Sequence, residues 1–455
     1  MRNDQTVLAE PTEGLVLVFI PQIGHTNARF KQEVFIVLVE QSFREEETNM
    51  KNRISALLFG TALTLAIGDL ACAQDKTVKI GALSDQSGLY ADLAGPGSTL
   101  AAQMAVEDSG LTAKGWKIDI ISGDHQNKPD VGAAITRQWF DVDKVDVIVD
   151  VPNSGVALAV NHVVKEKNGV YINSGAATSD LTNAQCSPNT VHWTYDTYML
   201  AHATGQALVK AGGDAWFFLT ADYAFGAALE RDTTAVVLAN GGKVVGSVRH
   251  PLNTSDFSSF LLMAQSSKAK IIGLANASGD TTNSVKQAAE FGILKGGQKL
   301  AALLLLLNDV KAIGLETAQG LNFTETFYWD LNDQTRAFSK RFAARMKNSA
   351  PPTMVQAGVY SGLTHYFKAL EAMGGNPHDG TKVVAKLKEM PTDDSLFGKG
   401  SIRADGRKIH PAYLFEVKKP EESKGPWDYY KLVGTTPADE AFRPLSESAC
   451  PLVRK

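Results

Sequence analysis

The sequence predicts an α/β protein made of two doubly wound parallel-sheet lobes, and three observations carry that expectation. From Val78 onward, short apolar runs alternate with amphipathic helical stretches, which is the β-α-β-α order of a parallel layer covered by helices. Several of the runs are apolar throughout, as strands buried on both faces of a parallel sheet are. The pattern then starts afresh near Ala215 without a detectable sequence repeat.

Taken in order, the first lobe opens with a strand over Val78 to Leu83, a helix over Ser98 to Asp108 and a strand over Lys117 to Ser122. A helix over Val131 to Phe140 and the apolar run Val145 to Val151 follow. A helix over Ala157 to Lys167 and a strand over Gly169 to Asn173 come next. The second series reads strand Ala215 to Thr220, helix Phe225 to Asn240, strand Lys243 to His250 and helix Phe257 to Ser267. It continues with strand Ile271 to Ala275 and helix Thr282 to Phe291. Ala302 to Leu307 is so apolar that a central strand is expected there. Gln334 to Lys347 and Met354 to Met373 read as helices, Tyr413 to Val417 as a late strand, and Gly425 to Lys455 as an exterior tail rich in Pro and polar residues.

Bulk properties narrow the function classes. Hydrophobic residues make up 44% and charged residues 21% of the 455, values of a soluble globular chain. A formal charge of −4 leaves no basic stripe for neutralising phosphates, which argues against nucleic acid as partner. Met50 to Ala73 has the form of a signal peptide: Lys51 and Arg53 at its start, an apolar Ile54 to Ile67, and Ala71-Cys72-Ala73 as an A-x-A cleavage site. Its apolar run is too short to span a membrane comfortably. Cys72 permits a lipid-anchored variant, but Asp69 occupies a position where a lipobox needs an aliphatic residue. Residues 1–49 precede a complete leader. They are expected to be an upstream extension from start assignment, since Arg44-Glu-Glu-Glu47 can be written in the purine-rich codons of a ribosome-binding site. A mature N-terminus near Gln74 follows, and 455 residues less 73 leave 382, a natural size for two lobes. In an oxidising compartment the mature chain retains Cys186 and Cys450, both in loop-like contexts. A disulfide between them is expected over two buried thiols.

The loops at strand ends carry the chemistry. In open α/β sheets a ligand binds beyond the carboxyl ends of the strands, where backbone N–H groups and helix N-termini converge. Here those positions hold Ser84-Asp-Gln-Ser-Gly-Leu-Tyr90, Asp150-Val-Pro-Asn-Ser-Gly155, Asn173-Ser-Gly-Ala-Ala-Thr-Ser-Asp180 and Thr220-Ala-Asp-Tyr-Ala-Phe-Gly226. Helix capping alone would put such residues in any one loop. Four loops of this composition at corresponding strand ends suit a small ligand with a carboxylate.

These residues, in this order and behind this leader, resemble the periplasmic solute-binding proteins of ABC transporters for branched-chain amino acids. The resemblance covers about residues 76–435. It rests on Lys79-Ile-Gly with Ser87-Gly-Leu-Tyr90, Asp124 with Lys128-Pro-Asp130, Asn153-Ser154, Ser174-Gly-Ala-Ala-Thr178, and Asp222 with Phe225-Gly226. It implies a type I periplasmic binding fold with a hinge of three crossovers, in which two lobes close on a ligand. The implied lobe one comprises 76–194 and 327–407, lobe two 195–326 and 408–434, with 435–455 as a tail. It implies a carboxylate cradle at Asn153, Ser154, Ala176 and Thr178, with Tyr90 lining the side-chain pocket. In lobe two the match weakens. Phe225-Gly226 stands where amino-acid binders show Tyr-Gly, so Tyr223 is a candidate substitute beside Asn276. The loop Leu307-Asn-Asp309 lacks the family glutamate that meets a ligand ammonium, leaving Asp309 or Asp280 as stand-ins. With such a partner the ligand is a small amino acid or related carboxylate; without one it is an aromatic or other carboxylate that has no ammonium, with Tyr90, Trp193, Tyr195 and Tyr223 as an aromatic wall. Both readings stand at this point.

The implied partners are that ligand and a membrane permease, with the chain a periplasmic monomer that needs no cofactor or metal. A ligand-sensing module for a membrane receptor is the alternative with the same clamp. An enzyme is disfavoured: no G-x-S-x-G, H-E-x-x-H or G-x-x-x-x-G-K-[ST] occurs. Gly95-Pro-Gly97 lacks the third glycine of a dinucleotide loop, and the nine histidines have no metal-ligand spacing.

Overall fold

The computed structural model describes residues 76–453. The expected leader at 50–73 and the extension at 1–49 lie outside the described residues. Sheet one is parallel and five-stranded: β1 (Thr77–Ser84), β2 (Lys117–Asp124), β3 (Val147–Asp150), β4 (Val170–Asn173) and β5 (Thr190–His192), in the order β2-β1-β3-β4-β5. Sheet two is also parallel, with β6 (Ala215–Ala221), β7 (Lys243–His250), β8 (Ile271–Ala275) and β9 (Lys299–Ala302) in the order β7-β6-β8-β9. Each sheet reverses its winding direction once, between β1 and β3 in the first and between β6 and β8 in the second. In doubly wound folds the crevice at such a reversal is where ligands sit. The loops after β1, β3, β6 and β8 therefore face the cleft.

The central strands β1, β3, β4, β6 and β8 are buried almost throughout, whereas edge strands β2 and β7 alternate exposed and half-buried residues. The expectation of strands buried on both faces thus fails at the edges, where one flank of the strand has no neighbour to cover it.

Helices pack on both sheets: α1 (Gly95–Ser109), α2 (Pro129–Gln138) and α3 (Ser154–Lys167) on the first, and α4 (Ala224–Ala239), α5 (Ser258–Ser266) and α6 (Gly279–Glu290) on the second. Asn153 caps α3, its Oδ1 accepting from Gly155 N at 2.9 Å and Val156 N at 3.1 Å. At the start of α4, Gly226 passes so close to β6 that a Cβ would stand 2.0 Å from the Ala221 carbonyl oxygen. Only glycine lets α4 begin directly behind Tyr223.

The run Ala302 to Leu307 is not a central strand. β9 ends at Ala302 and is an edge strand, while Leu303 to Leu306 form a buried loop and α7 (Leu307–Ile313) begins at Leu307. Apolar content alone does not distinguish a buried loop from a strand. Past β10 (Asn322–Glu325) come α8 (Asp333–Ala343), α9 (Met354–Met373) and α10 (Gly380–Glu389), then a small antiparallel sheet of β11 (Thr392–Asp394), β12 (Gly398–Ile402) and β13 (Lys408–Ile409). β14 (Ala412–Val417) pairs with β10 on one side and β15 (Tyr430–Thr436) on the other.

The region from Gly425 onward is more than an exterior tail: it contains β15, and beyond β15 it buries Phe442 against Arg407, whose guanidinium carbon lies 4.3 Å from the ring centre. Cys186 and Cys450 form a disulfide with a Cα–Cα separation of 5.6 Å. Crossings of the chain lie side by side at the hinge. Fully buried Arg407 donates to Thr194 O at 2.6 Å, Tyr195 O at 3.3 Å and Asp196 Oδ2 at 3.4 Å, and His410 Nε2 lies 2.8 Å from Thr194 O. Next to the hinge, Asp232 of α4 gathers four donors from separate parts of the chain. Its Oδ2 accepts from Thr197 Oγ1 at 2.6 Å and Ser179 Oγ at 2.7 Å. Its Oδ1 accepts from Arg231 Nε at 3.0 Å and Arg443 Nη2 at 3.3 Å.

Candidate functional site

The four reversal-point loops meet between the sheets. After β1, Asp85 organises the loop by accepting from Gly88 N at 2.7 Å and Tyr90 N at 2.8 Å, which turns the Tyr90 ring inward. The start of α9 braces the same loop, with Thr353 Oγ1 donating to Leu93 O at 2.7 Å and Gln356 Nε2 to Ala94 O at 3.1 Å. After β3 comes Pro152; after β6, Tyr223 and Phe225; after β8, Ala277. With Leu93, Ala177, Tyr195 and Leu304 they line a pocket of about 220 Å³, solvent at its mouth included.

The lobes touch across this pocket. Tyr90 Oη and Tyr223 Oη are 2.5 Å apart, Ser278 Oγ donates to Leu89 O at 2.8 Å, and Asn308 Nδ2 to Asp92 O at 2.5 Å. Burial raises the Tyr90 phenol well above its ordinary value, and that of Tyr223 likewise, so both are neutral donors and acceptors. Tyr195 is also buried, its Oη donating to Gly175 O at 2.7 Å. All nine lining residues are uncharged.

Of the residues singled out from sequence, Tyr90, Tyr195, Tyr223 and Phe225 line the pocket. Ser154 and Thr178 lie beside it, linked by Thr178 N donating to Ser154 Oγ at 3.2 Å. That bond leaves the Ser154 hydroxyl proton free to donate. Ala176 is buried with its N–H on Asn173 Oδ1 at 3.0 Å, and its neighbour Ala177 is the one that lines the pocket. Asn153 and Asp309 act as helix caps: Asp309 Oδ2 accepts from Leu306 N at 2.9 Å at the start of α7. Burial pushes the Asp309 carboxyl up to about 7. Asn276 is tied into lobe two, bonding Ser284 Oγ at 3.1 Å, Thr281 Oγ1 at 2.8 Å and His250 Nε2 at 3.1 Å. Asp280 accepts from Thr254 N at 2.8 Å and Asn253 N at 3.1 Å, and burial raises its carboxyl to about 6.

Trp193 is not part of an aromatic wall. Its Nε1 donates to Ser361 Oγ of α9 at 2.8 Å, and its ring packs against Lys408 in the hinge. Leu93, Pro152, Ala177, Ala277 and Leu304 were not foreseen, since small apolar residues carry no motif. Three of them adjoin polar residues that drew attention, namely Asn153, Thr178 and Asn276. In each loop the polar side chain shapes the turn and its apolar neighbour faces the pocket.

A clamp of two doubly wound lobes with a small uncharged pocket between their strand ends defines the class of solute-binding proteins. Residues 77–425 match the family model described as periplasmic binding protein, and the chain belongs to that family. It is similar to a periplasmic binding protein of Burkholderia mallei, with 54% identity and a TM-score of 0.80, over 83% of this chain and 100% of the other. A branched-chain amino acid ABC transporter periplasmic ligand-binding protein of Burkholderia xenovorans LB400 is 41% identical, with a TM-score of 0.74 and coverage of 83% and 100%. An R. palustris ABC-transporter solute-binding protein solved with benzoate shares the fold at 24% identity and a TM-score of 0.72, covering 82% and 99%. Among the described residues, no helix is long and apolar enough to cross a membrane.

Proposed function

We propose that this chain is the periplasmic receptor of an ABC importer for a small carboxylate without an ammonium group, most simply an aromatic monocarboxylate. The observation that carries the ligand class is the lining: three tyrosines, one phenylalanine and five aliphatic residues, with no carboxylate among them. A buried ammonium left without an anionic partner costs several kcal/mol. Of the buried acids around the pocket, Asp280 and Asp309 already accept from backbone N–H groups, and burial pushes these two and Asp150 toward the neutral form.

In this reading the ligand carboxylate docks first on lobe one, at the Ser154 hydroxyl and the turn Ala176 to Thr178, beside the N-terminus of α3. Hinge closure then brings Tyr223, Phe225 and Ala277 over the apolar end. The closed clamp presents both lobes to a membrane permease and performs no chemistry. In this reading the expected leader exports it to the periplasm, where it works as a monomer. The benzoate complex of the R. palustris protein, which has the same fold, supports the ligand class.

A thermal-shift series tests this directly, because a ligand that binds only the folded state raises its stability by mass action. Benzoate and 4-hydroxybenzoate should raise Tm, while leucine, isoleucine and valine should not. Stabilisation by the amino acids alone would reverse the assignment. The branched-chain name of the B. xenovorans relative makes those three the right competitors.

A further inference from the structure

Asp150 ends β3, at the point where sheet one reverses its winding, and it has no solvent exposure. Its Oδ2 accepts from Ser84 Oγ at 2.8 Å; the Ser98 hydroxyl stands close by, but Oδ1 has no hydrogen bond of good geometry among the described residues. The groups that face it are Ser84 at the end of β1, Ser98 of α1, Tyr171 of β4 and Tyr195 of the first hinge crossing. None of these carries a positive charge. An ionised carboxylate there would be left half-bonded and unpaired in a dry interior, at a cost of several kcal/mol. Burial accordingly pushes the carboxyl up to about 7, against the opposing pull of the two serine hydroxyls.

The local backbone is also unusual. Asp150 has φ 77° and the β-branched Val151 has φ 60°. Such values in non-glycine residues persist only where the surroundings impose them, and they gather at binding sites. The strained pair delivers Pro152 to the pocket wall and Asn153 to the cap of α3. Gly175, two residues before the pocket-lining Ala177, lies close enough that a Cβ would be 2.5 Å from Asp150 Oδ1. The carboxyl therefore sits directly against the turn Ser174 to Thr178.

We propose that Asp150 is a positioning residue for the ligand anion, held as the neutral acid against the Ser174–Thr178 turn, so that carboxylate capture at that turn is coupled to its proton. This rests on the carboxylate-binding role assigned above. If Asp150 ionises, two like charges share one desolvated wall and the ligand is repelled. Because linkage is reciprocal, the bound anion in turn tightens the hold of Asp150 on its proton.

The test is calorimetric titration of benzoate, which stays ionised from about pH 6 to about pH 8.5, into the wild type and Asp150→Asn. Asparagine keeps the shape of the neutral acid and cannot ionise. The wild-type Kd should rise roughly 3- to 10-fold across that range, and the D150N profile should be flat. Asp280, Asp309 and Glu325 are buried acids whose carboxyls are raised by burial, so loss of the slope in D150N makes the assignment. Ligand-free melting supplies a second readout. A carboxyl whose folded value is raised favours the fold below its unfolded value and loses that advantage as pH climbs to the folded one. The wild-type Tm relative to D150N should therefore decline from about pH 4 to about pH 7. A flat wild-type benzoate profile, a slope that survives in D150N, or a Tm difference independent of pH overturns the proposal. Benzoate bound by neither protein at any pH would defeat the carboxylate role itself, and the proposal with it.

Discussion

Tyr90 and Tyr223 meet across the cleft with their phenol oxygens 2.5 Å apart, one from the loop after β1 and the other from the loop after β6. This bond joins the two lobes at the pocket itself. Replacing Tyr223 with Phe keeps the ring in the wall and removes the link. It should favour the open form and weaken ligand binding by about 0.5–1.5 kcal/mol, the net worth of one neutral hydrogen bond. Small-angle scattering of the ligand-free protein and titration calorimetry read the two effects. A variant as closed and as tight as the wild type would assign the contact no role in closure.

The double variant Ser154→Ala with Thr178→Ala tests the cradle. Each charge-assisted bond lost to a carboxylate should cost about 1.5–3 kcal/mol of affinity. The ligand-free Tm should also fall, because Thr178 N loses its acceptor Ser154 Oγ and the turn after Thr178 loses its cap. Unchanged affinity would move the carboxylate elsewhere in the cleft.

At the hinge, Asp232→Ala strips the acceptor from Thr197, Ser179, Arg231 and Arg443 together. Leaving buried donors unmatched should lower stability by about 1–3 kcal/mol. Urea unfolding measures it, and a loss below a few tenths would show that water replaces the carboxylate.

His410 predicts how the hinge responds to acid. Burial, followed by the nearby Lys408 and Arg407 charges, lowers its imidazole from 6.5 to about 3. A base whose folded value is depressed takes up its proton in the unfolded chain first. Its contribution is therefore complete above about pH 6.5 and erodes as pH falls toward about 3. Tm should drop across that interval, and His410→Gln should flatten part of the decline. An equally steep decline in the variant would place the acid sensitivity in other groups, His125 and His192 among them, whose imidazoles burial also lowers.

Much of the architecture could be read from the sequence because parallel sheets write themselves as apolar runs at regular spacing. The β6–α4–β7 unit and the helix Met354–Met373 have the periods their positions require. Leu303 to Leu306 show where this reasoning fails. A loop buried under two lobes needs the same apolar residues as a strand, and only its neighbours decide its shape. β15 was hidden for the opposite reason, since Lys431, Leu432 and Val433 are exposed on an edge strand and lack a buried period. At the site, polar residues such as Asn153 and Asn276 advertised the right loops. The pocket surface itself is built from their unremarked neighbours, because a wall for an apolar ligand has no chemical signature beyond being apolar.

The Cys186–Cys450 bond spans 264 positions of sequence, and every strand of sheet two lies between its ends. Covalently, the second lobe is a segment of a closed ring rather than a branch hanging from a hinge. A protease that cuts once in any loop of that lobe opens the ring and liberates no fragment. The nicked protein stays a single molecule until its disulfide is reduced, a durable arrangement for a solute-binding protein.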